Sequence, residues 1–375
     1  MRTRRLVLVG AGHAHLHLVR QAAQLCEVGL EVTLIAPRRF QYSGLASGVL
    51  SGALAVEAAE IDVVALASAF RVRHLSQPVT AIDRTARVLT LAGGATEPFD
   101  LLSLNIGSVA ADPYQLATQA GVWPVKPLAN LFALRTRIEA DSARDGASPR
   151  IVVAGGGQSA LEITASLCGL QERQGVRPDV TLVAPAFGAT LPPAALARLT
   201  KSLAARGVAF RSDTVVGREP QACCLADGGA LPCDVLVLAA GLAAPPLIAD
   251  LALPVDESGR LLVAPTLQSV DDPTIFAAGD CAVIRDHPRP AAGVFGVRAA
   301  PVLLDNLTAL SMERPLRSWR PQRRWLSIMD LGDGRGLAIR GGFWSLGRTS
   351  LRLKRYLDLG FVRRMRADPV PRQET

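Results

Sequence analysis

The chain has no Cys-x-x-Cys pair, and its six cysteines are scattered apart from the adjacent Cys223 and Cys224. In a chain of 375 residues that pattern argues against a small disulfide-stapled scaffold. Of the five histidines, three fall in the run His13–His17, but no Cys/His array has zinc spacing, so no metal site is expected. Long apolar runs are also missing. The charge-free stretch 40–56 is interrupted by serines and glycines, and 235–249 is short and carries two prolines, so neither reads as a membrane-crossing helix. The basic start, Met1 to Arg5, looks like a secretory leader only until its apolar residues run into Gly10-Ala-Gly12, which marks them as a first strand. The expectation is a cytoplasmic protein, free or peripherally attached to the inner face of a membrane.

What is present is apolar content and turn formers: 49% hydrophobic residues, 33 glycines and 25 prolines. Such a chain can build a large core with many tight turns, and its length suits two domains with a small third piece. The charge is uneven. Residues 314–375 carry 15 Arg or Lys against 5 Asp or Glu, although the whole chain sums to only +8. The body is therefore nearly neutral and the tail strongly basic. Such a tail fits an anionic membrane surface, an acidic protein partner, a second copy of the chain in a homodimer, or simply a solvated Arg-rich surface. No specific nucleic-acid binding is expected.

Two stretches repeat one pattern. Leu6 to Val9 is an apolar strand followed by a glycine turn, a helix through Leu25 and a second strand from Glu31 to Ala36. Ile151 to Ala154 leads in the same way into Gly155-Gly-Gly157, a helix to about Leu170 and a strand from Val180 to Ala184. Each is the β-turn-α-β opening of a dinucleotide-binding unit. Asp141 to Pro149 reads as a polar bridge before the second copy. Arg71 to Leu75 and Arg87 to Leu91 read as strands of a small antiparallel insertion turning at Gly93-Gly94. Strands are also expected at Phe99–Asn105, Asp234–Ala240 and Ile275–Ala278. The tail reads as short strands, then a basic helix over 348–366 whose apolar positions form no single stripe. The fold class is α/β, with two Rossmann-like domains and a small C-terminal α+β region. The boundaries expected are 1–112 with 242–312 for the first, discontinuous domain, 113–241 for the second, and 313–375 for the basic region.

The glycine turns carry the chemistry. In Gly10-x-Gly12-x-x-His15 the first glycine permits the tight turn, the second lets backbone approach a pyrophosphate, and the helix start offers free N–H groups. His15 stands where a third glycine is usual. His13, His15 and His17 read as packing residues or phosphate-region contacts rather than acid–base groups, because no carboxylate accompanies them. Gly155-x-Gly157-x-x-Ala160 has a small third residue suited to close helix–sheet packing. The acid that often ends the second strand and binds ribose hydroxyls is missing twice. Ala36-Pro-Arg38-Arg39 stands at the first site and Ala184-Pro-Ala at the second. Arg38 or Arg39 could lie beside an adenosine or its phosphates. Thr274 to Ala282 contains a strand ending in Gly279-Asp280, read either as a ribityl-binding aspartate or as a helix cap, with a helix start expected just beyond it.

With these motifs in view, the sequence resembles the pyridine nucleotide-disulfide oxidoreductase superfamily. Within it, the chain is most similar to the type II NADH dehydrogenase and sulfide:quinone oxidoreductase branch, and closest to the flavoprotein domain associated with selenide, water dikinase. The resemblance rests on VLVGAGHAHLHLV at 7–19, FQYSGLASGVLSG at 40–52, DLLSLNIGS at 100–108, VKPL at 125–128, IVVAGGGQSALEIT at 151–164, TIFAAGDCA at 274–282, and further blocks at 288–307 and 320–341. It implies FAD held non-covalently, NAD(P)H as co-substrate and a quinone or other small molecule as electron acceptor. It also implies that Gly10, Gly12, His13, Ala14, Arg38, Arg39, Tyr42, Ser43, Gly44, Gly107, Lys126, Gly279, Asp280 and Phe295 contribute to the flavin site, and Gly155 and Gly157 to the nicotinamide nucleotide site. Lys126 and Glu162 are the residues it offers for catalysis. Against the family pattern, the Cys-x4-Cys dithiol is absent, Cys168 and Cys281 look structural, and the stretch from Gly296 to Pro301 has Arg298 but no glutamine. A flavoenzyme acting on a sulfur- or selenium-related substrate without NAD(P)H, and a flavin-holding docking protein, therefore stand as alternatives.

Overall fold

The computed structural model describes residues 3–145 and 149–366. Two five-stranded parallel sheets share one plan. In the first, Arg4–Val9 is central, Leu30–Ile35 and Arg73–Leu75 lie to one side, and Leu101–Leu104 and Ile275–Ala277 to the other. In the second, Ile151–Ala154 is central, flanked by Val180–Val183 and Ala209–Arg211 on one side and by Val235–Leu238 and Val122–Pro124 on the other. Central strands such as Ile151–Ala154 and Val235–Leu238 are buried at every residue. Such unbroken burial is the mark of a parallel sheet covered on both faces. In the first sheet, helix His13–Arg20 follows the central strand and packs against the long helix Gly293–Ser311. Helix Gln158–Arg173 takes the corresponding place in the second. This is the expected α/β class with two Rossmann-like sheets.

Several elements differ from the sequence expectation. Arg73–Leu75 is an edge strand of the first parallel sheet, not part of the antiparallel insertion. That insertion is Val79–Asp83, Val88–Leu91 and Thr96–Pro98, and Gly93-Gly94 does form its turn. The expected bridge from Asp141 is helical at its start, because helix Ala129–Asp145 runs into it. Asp141 accepts Arg137 one turn before it and pairs with Arg144 three residues after it, and such pairs favour continued helix. Residues 146–148 of the bridge lie outside the described residues. Beyond Asp280 the chain makes one 3-10 turn, Gly279–Cys281, and then strand Ala282–Ile284; the helix begins only at Gly293.

The tail folds back onto the body. Ser327–Asp330, Gly336–Arg340 and Phe343–Gly347 form an antiparallel sheet, and helix Arg348–Met365 follows. Leu351, Phe361, Val362 and Met365 of this helix are buried. A polar network anchors it. Lys354 lies 3.1 Å from Asp358 and 3.9 Å from Glu162, and Tyr42 donates its hydroxyl to Asp358 at 3.0 Å. Burial alone would depress the Lys354 amine, but the carboxylates around it outweigh that and raise its pKa. Among the described residues, no helix is long and apolar enough to cross a membrane.

The tail also interlocks with the second sheet's helix through backbone contact. A Cβ built on Gly169 would lie 2.9 Å from the Cα of Gly332 in the turn between the first two tail strands. Gly169→Val should therefore push the tail off the helix and destabilise the protein by about 1–3 kcal/mol, the range for overpacking. Urea unfolding of the variant checks this; an unchanged midpoint would show that the contact is not constraining.

Candidate cofactor site

Parallel α/β sheets bind ligands beyond the carboxyl ends of their strands, where neighbouring connections run in opposite directions. In the first sheet that place lies between Arg4–Val9 and Leu101–Leu104, so the residues leaving the two strands, Gly10 and Asn105, are side by side. Gly10 has φ +89°, and a Cβ there would lie 2.8 Å from the carbonyl carbon of Asn105. Only glycine meets both demands without strain.

Asn105, which the sequence reading passed over, is the hub of this region. It is 4% exposed. Its Oδ1 accepts from the amide of Ala14 at 3.0 Å and of His15 at 3.4 Å, and its Nδ2 donates to the carbonyl of Ala278 at 2.5 Å. Its own carbonyl accepts from Gly12 at 3.1 Å. A Cβ on Gly12 would collide with the Asn105 amide, and one on Gly279 would lie 2.5 Å from Asn105 Nδ2. The second glycine of the turn is thus imposed by a protein side chain. The only sequence signal for this was a polar residue at the end of an otherwise apolar strand.

His15 replaces the usual third glycine by turning inward. It is fully buried, with Nδ1 2.7 Å from the carbonyl of Gly10 and Nε2 2.8 Å from the hydroxyl of Ser103. A carbonyl can only accept, so Nδ1 carries the proton and Nε2 accepts from Ser103. The imidazole pins the glycine turn to the neighbouring strand. Burial lowers its pKa to about 4. His13 lies at the helix start among Phe40, Tyr42 and Phe361, with ring centroids at 5.6, 5.4 and 5.3 Å. Burial lowers its pKa to about 4 as well, with Lys126 adding to the effect and Asp280 and Asp358 opposing it. His17 is half-buried, and burial, with Arg20 adding to the effect, lowers its pKa against the pull of Asp305.

The other candidate residues divide into those near this point and those apart from it. Gly293, at the start of a helix with no side-chain cap, comes within 3.2 Å of the His13 ring by its built Cβ, and Gly296 comes within 3.7 Å of Gly279. Asp280 accepts from Ser108 at 3.2 Å. At Gly107 a Cβ would meet nothing within 4 Å, leaving an open cradle beside these loops. Tyr42 and Ser43 are close by; Tyr42 stacks on Phe361 at 4.9 Å, and burial with the Asp358 carboxylate pushes its phenol pKa up. Gly44 packs against the Tyr42 ring. Phe295 is buried edge-to-face against Trp325 at 5.2 Å. Arg38 is exposed, and Arg39 pairs with Glu60 at 2.8 Å. Arg298 is exposed. Glu162 turns toward the tail: its Oε1 accepts from the amide of Asp330 at 2.8 Å, and burial raises its pKa against the pull of Lys354. Cys168 and Cys281 are fully buried, and burial pushes both thiols up to about 12.

At the second sheet the arrangement repeats in part. A Cβ on Gly155, φ +141°, would lie 2.5 Å from the carbonyl carbon of Ala239, just as Gly10 crowds Asn105. Gly157 faces open space, and the helix it begins has no side-chain cap.

Two parallel sheets, each with a glycine turn at its carboxyl edge, define a two-dinucleotide oxidoreductase fold. A family model, Pyridine nucleotide-disulphide oxidoreductase, matches residues 4–300, and the chain belongs to this family. An NADH dehydrogenase-like protein of Mycobacterium tuberculosis is 27% identical over 291 residues, covering 72% of this chain and 70% of that protein. The demethylphylloquinone reductase of Synechocystis is 25% identical, covering 94% and 92%. Among solved structures, the sulfide:quinone oxidoreductase of Aquifex aeolicus superposes with a TM-score of 0.78 at 16% identity, covering 97% of this chain and 92% of that one. NDH2 of Plasmodium falciparum in complex with NADH superposes with 0.77 at 13% identity, covering 97% of each. The protein is an FAD-dependent oxidoreductase of NAD(P)H dehydrogenase-like type, and FAD and NAD(P)H are the cofactors that its family and relatives imply.

The buried histidines give the fold a pH dependence with a defined sign. Unfolded, His13 and His15 take up protons near pH 6.5; folded, only near pH 4. The unfolded state thus binds more protons between those values, and stability present above pH 6.5 is lost as pH falls toward 4. His15→Gln should flatten part of that loss. Thermal midpoints of both proteins between pH 7.5 and 4.5 check it, and parallel curves would refute a role for His15.

Proposed function

We propose that the protein takes hydride from NAD(P)H and delivers the electrons to a quinone or another small acceptor. The observation that carries this reading is the convergence of four distant segments on one point. The turn at 10–12, the loop at 105–108, Gly279-Asp280 and the start of helix Gly293–Ser311 meet at the carboxyl edge of the first sheet. The open cradle at Gly107 and the uncapped helix at Gly293 fit a large anionic cofactor.

In this reading residues 1–112 and 242–312 bind FAD, 113–241 bind the nicotinamide nucleotide, and 313–375 form the basic region. FAD supplies the two-electron chemistry, accepting hydride and passing electrons on. The protein positions and polarises. The turn at Gly10 and Gly12 and the helix start at His13 and Ala14 would lie against the pyrophosphate, with the His13 amide left to donate to it; Asp280 would accept from the ribityl chain, and Arg38 and Arg39 would border the adenosine. Tyr42, Ser43, Gly44, Gly107 and Phe295 wall the ring end. Lys126, whose charge already reaches His13, stabilises negative charge on the reduced ring. Gly155 and Gly157 receive the nicotinamide nucleotide. Glu162 acts from the side of the tail helix. Among the relatives, those named as quinone reductases support the acceptor class. The likeness to the flavoprotein domain associated with selenide, water dikinase belongs to the same proposal and rests on the sequence blocks alone.

A second reading, a flavoenzyme that does not use NAD(P)H, draws on Ala184-Pro-Ala at the second strand exit, which offers neither an acid for a ribose hydroxyl nor a base for an added phosphate. Anaerobic titration with NADH and then NADPH separates the two. Bleaching of the flavin band is expected; a flavin that stays oxidised with both would favour the second. Asp280→Ala should weaken FAD by about 1–3 kcal/mol if a charged hydrogen bond is lost, and unchanged FAD retention would move the site elsewhere.

The tail supports docking on an anionic membrane. Phe343 (84% exposed), Tyr356 (78%), Leu353 and Leu357 stand out from the tail hairpin and helix beside exposed Arg348, Arg352 and Arg363. Sedimentation with anionic but not neutral vesicles is expected, reduced by Tyr356→Ser with Phe343→Ser. Equal sedimentation with neutral vesicles would leave a protein partner or a homodimer as the better account of the tail.

A further inference from the structure

The two glycine turns differ at one equivalent position. In each sheet the residue leaving the strand next to the central one crowds the first glycine, and its amide bonds the last residue of the central strand: Asn105 to Val9 at 2.9 Å, and Ala239 to Ala154 at 2.8 Å. The second position, being alanine, offers nothing to the helix beside it, and the first-turn amides of helix Gln158–Arg173 have no side-chain cap. The first position offers an amide that takes two of the three first-turn N–H groups, those of Ala14 and His15. The N–H of His13 is left without a protein acceptor among the described residues.

We propose that Asn105 is the positioning residue of the flavin turn, and that its neutrality sets how that turn receives an anion. The proposal rests on the flavin reading above. A helix start normally offers all its first-turn amides and its positive end to phosphate. Here a neutral acceptor occupies two amides without adding charge, so the helix dipole still acts on the ligand while the turn is held rigid. The other end of the same side chain, bonded to the carbonyl of Ala278, holds the loop carrying Gly279 and Asp280 at a fixed distance from the turn. One side chain thereby sets the spacing between the pyrophosphate end of the site and its ribityl end. The second site has no such tie, as suits a co-substrate that enters and leaves in each turnover.

The charge part of this proposal separates from mere support. Asn105→Asp keeps an acceptor for Ala14 and His15 and nearly the same volume. It places an ionisable carboxyl where the pyrophosphate binds and where only a protonated oxygen can donate to the carbonyl of Ala278. Burial and the carbonyl of Ala278, which needs a donor from this side chain, push that carboxyl up, against the amides of Ala14 and His15, which pull it down. The charged groups acting around the helix start are Asp280, Lys126 and Asp358, and the neighbouring titratable groups are His13, His15 and Cys281. His13 and His15 titrate near pH 4 and Cys281 near 12, so none of these three changes charge between pH 6 and 8.5.

The experiment is FAD binding to apoprotein by fluorescence quenching at pH 6 and pH 8.5, for the native protein, Asn105→Asp and Asn105→Ser. The native protein should bind FAD equally at both. Asn105→Asp should bind at least 10-fold more weakly at pH 8.5 and recover most of that at pH 6. Asn105→Ser, neutral but too short to hold both the helix amides and the carbonyl of Ala278, should lose FAD affinity by the same factor at both pH values. Equal weakening of Asn105→Asp at both pH values, or native affinity at pH 8.5, would overturn the proposal. Should that variant not fold, native FAD affinity in folded Asn105→Ser would overturn it instead, and a loss of equal size at both pH values would sustain it. A native protein that takes up no flavin would instead refute the flavin reading on which the proposal stands.

Discussion

The close approach of two strand ends, Val9-Gly10 and Leu104-Asn105, is the constraint on which the cofactor region depends. Two parallel strands that leave their sheet in opposite directions open a crevice, and here the two strand ends approach so closely that Gly10 has no room for a side chain. Gly10 supplies the conformation, and Asn105 supplies the hydrogen bonds that would otherwise be missing from a helix start and a strand end. His15 adds a third tie from below, through Gly10 and Ser103. An unpaired buried amide or carbonyl costs about 1–3 kcal/mol, so satisfying several at once with two side chains explains how so polar a junction can sit in an apolar sheet.

The tail shows a second use of buried polarity. Its helix contributes Phe361 to the ring cluster around His13 and Lys354 to the carboxylates of Glu162 and Asp358. Tyr42, near the first site, and Glu162, on the helix of the second glycine turn, are thus both bonded into one helix. Buried ion pairs add little net stability but are costly to break. Their effect here is to fix where helix Arg348–Met365 sits against Tyr42 and Glu162.

Much of this was legible in the sequence because its causes are local. Apolar strands followed by Gly-x-Gly specify strand, turn and helix within a dozen residues, and both copies fold that way. The hairpin at Gly93-Gly94 was legible for the same reason. What was not legible depends on partners far along the chain. Arg73–Leu75 looks like any short alternating strand, and only its parallel pairing with Leu30–Ile35 decides which sheet it joins. Asp141 looks like a turn residue until Arg137 and Arg144 bracket it on a helix. The family resemblance offers Glu162 as a catalytic carboxylate, but its partners Asp330 and Lys354 lie more than 160 residues away. Asn105 and Ala239 stand at matching places, each five residues after an Asp and two before a Gly, yet only the fold shows that both press on the first glycine of a turn.

That equivalence bears on how one chain can carry two similar turns with different duties. Both turns inherit the same backbone demand, a glycine pressed against the neighbouring strand end. Neither can change the glycine without losing the turn, so divergence falls to the residue that presses on it. An alanine there leaves the helix start uncapped, and its amides stay free for a ligand that comes and goes. An asparagine removes part of that freedom and spends it on rigidity, which suits a group that remains bound. On the proposed reading, two sites of one architecture are set apart by a side chain that faces the protein, and a comparison of ligand-facing residues alone would miss it.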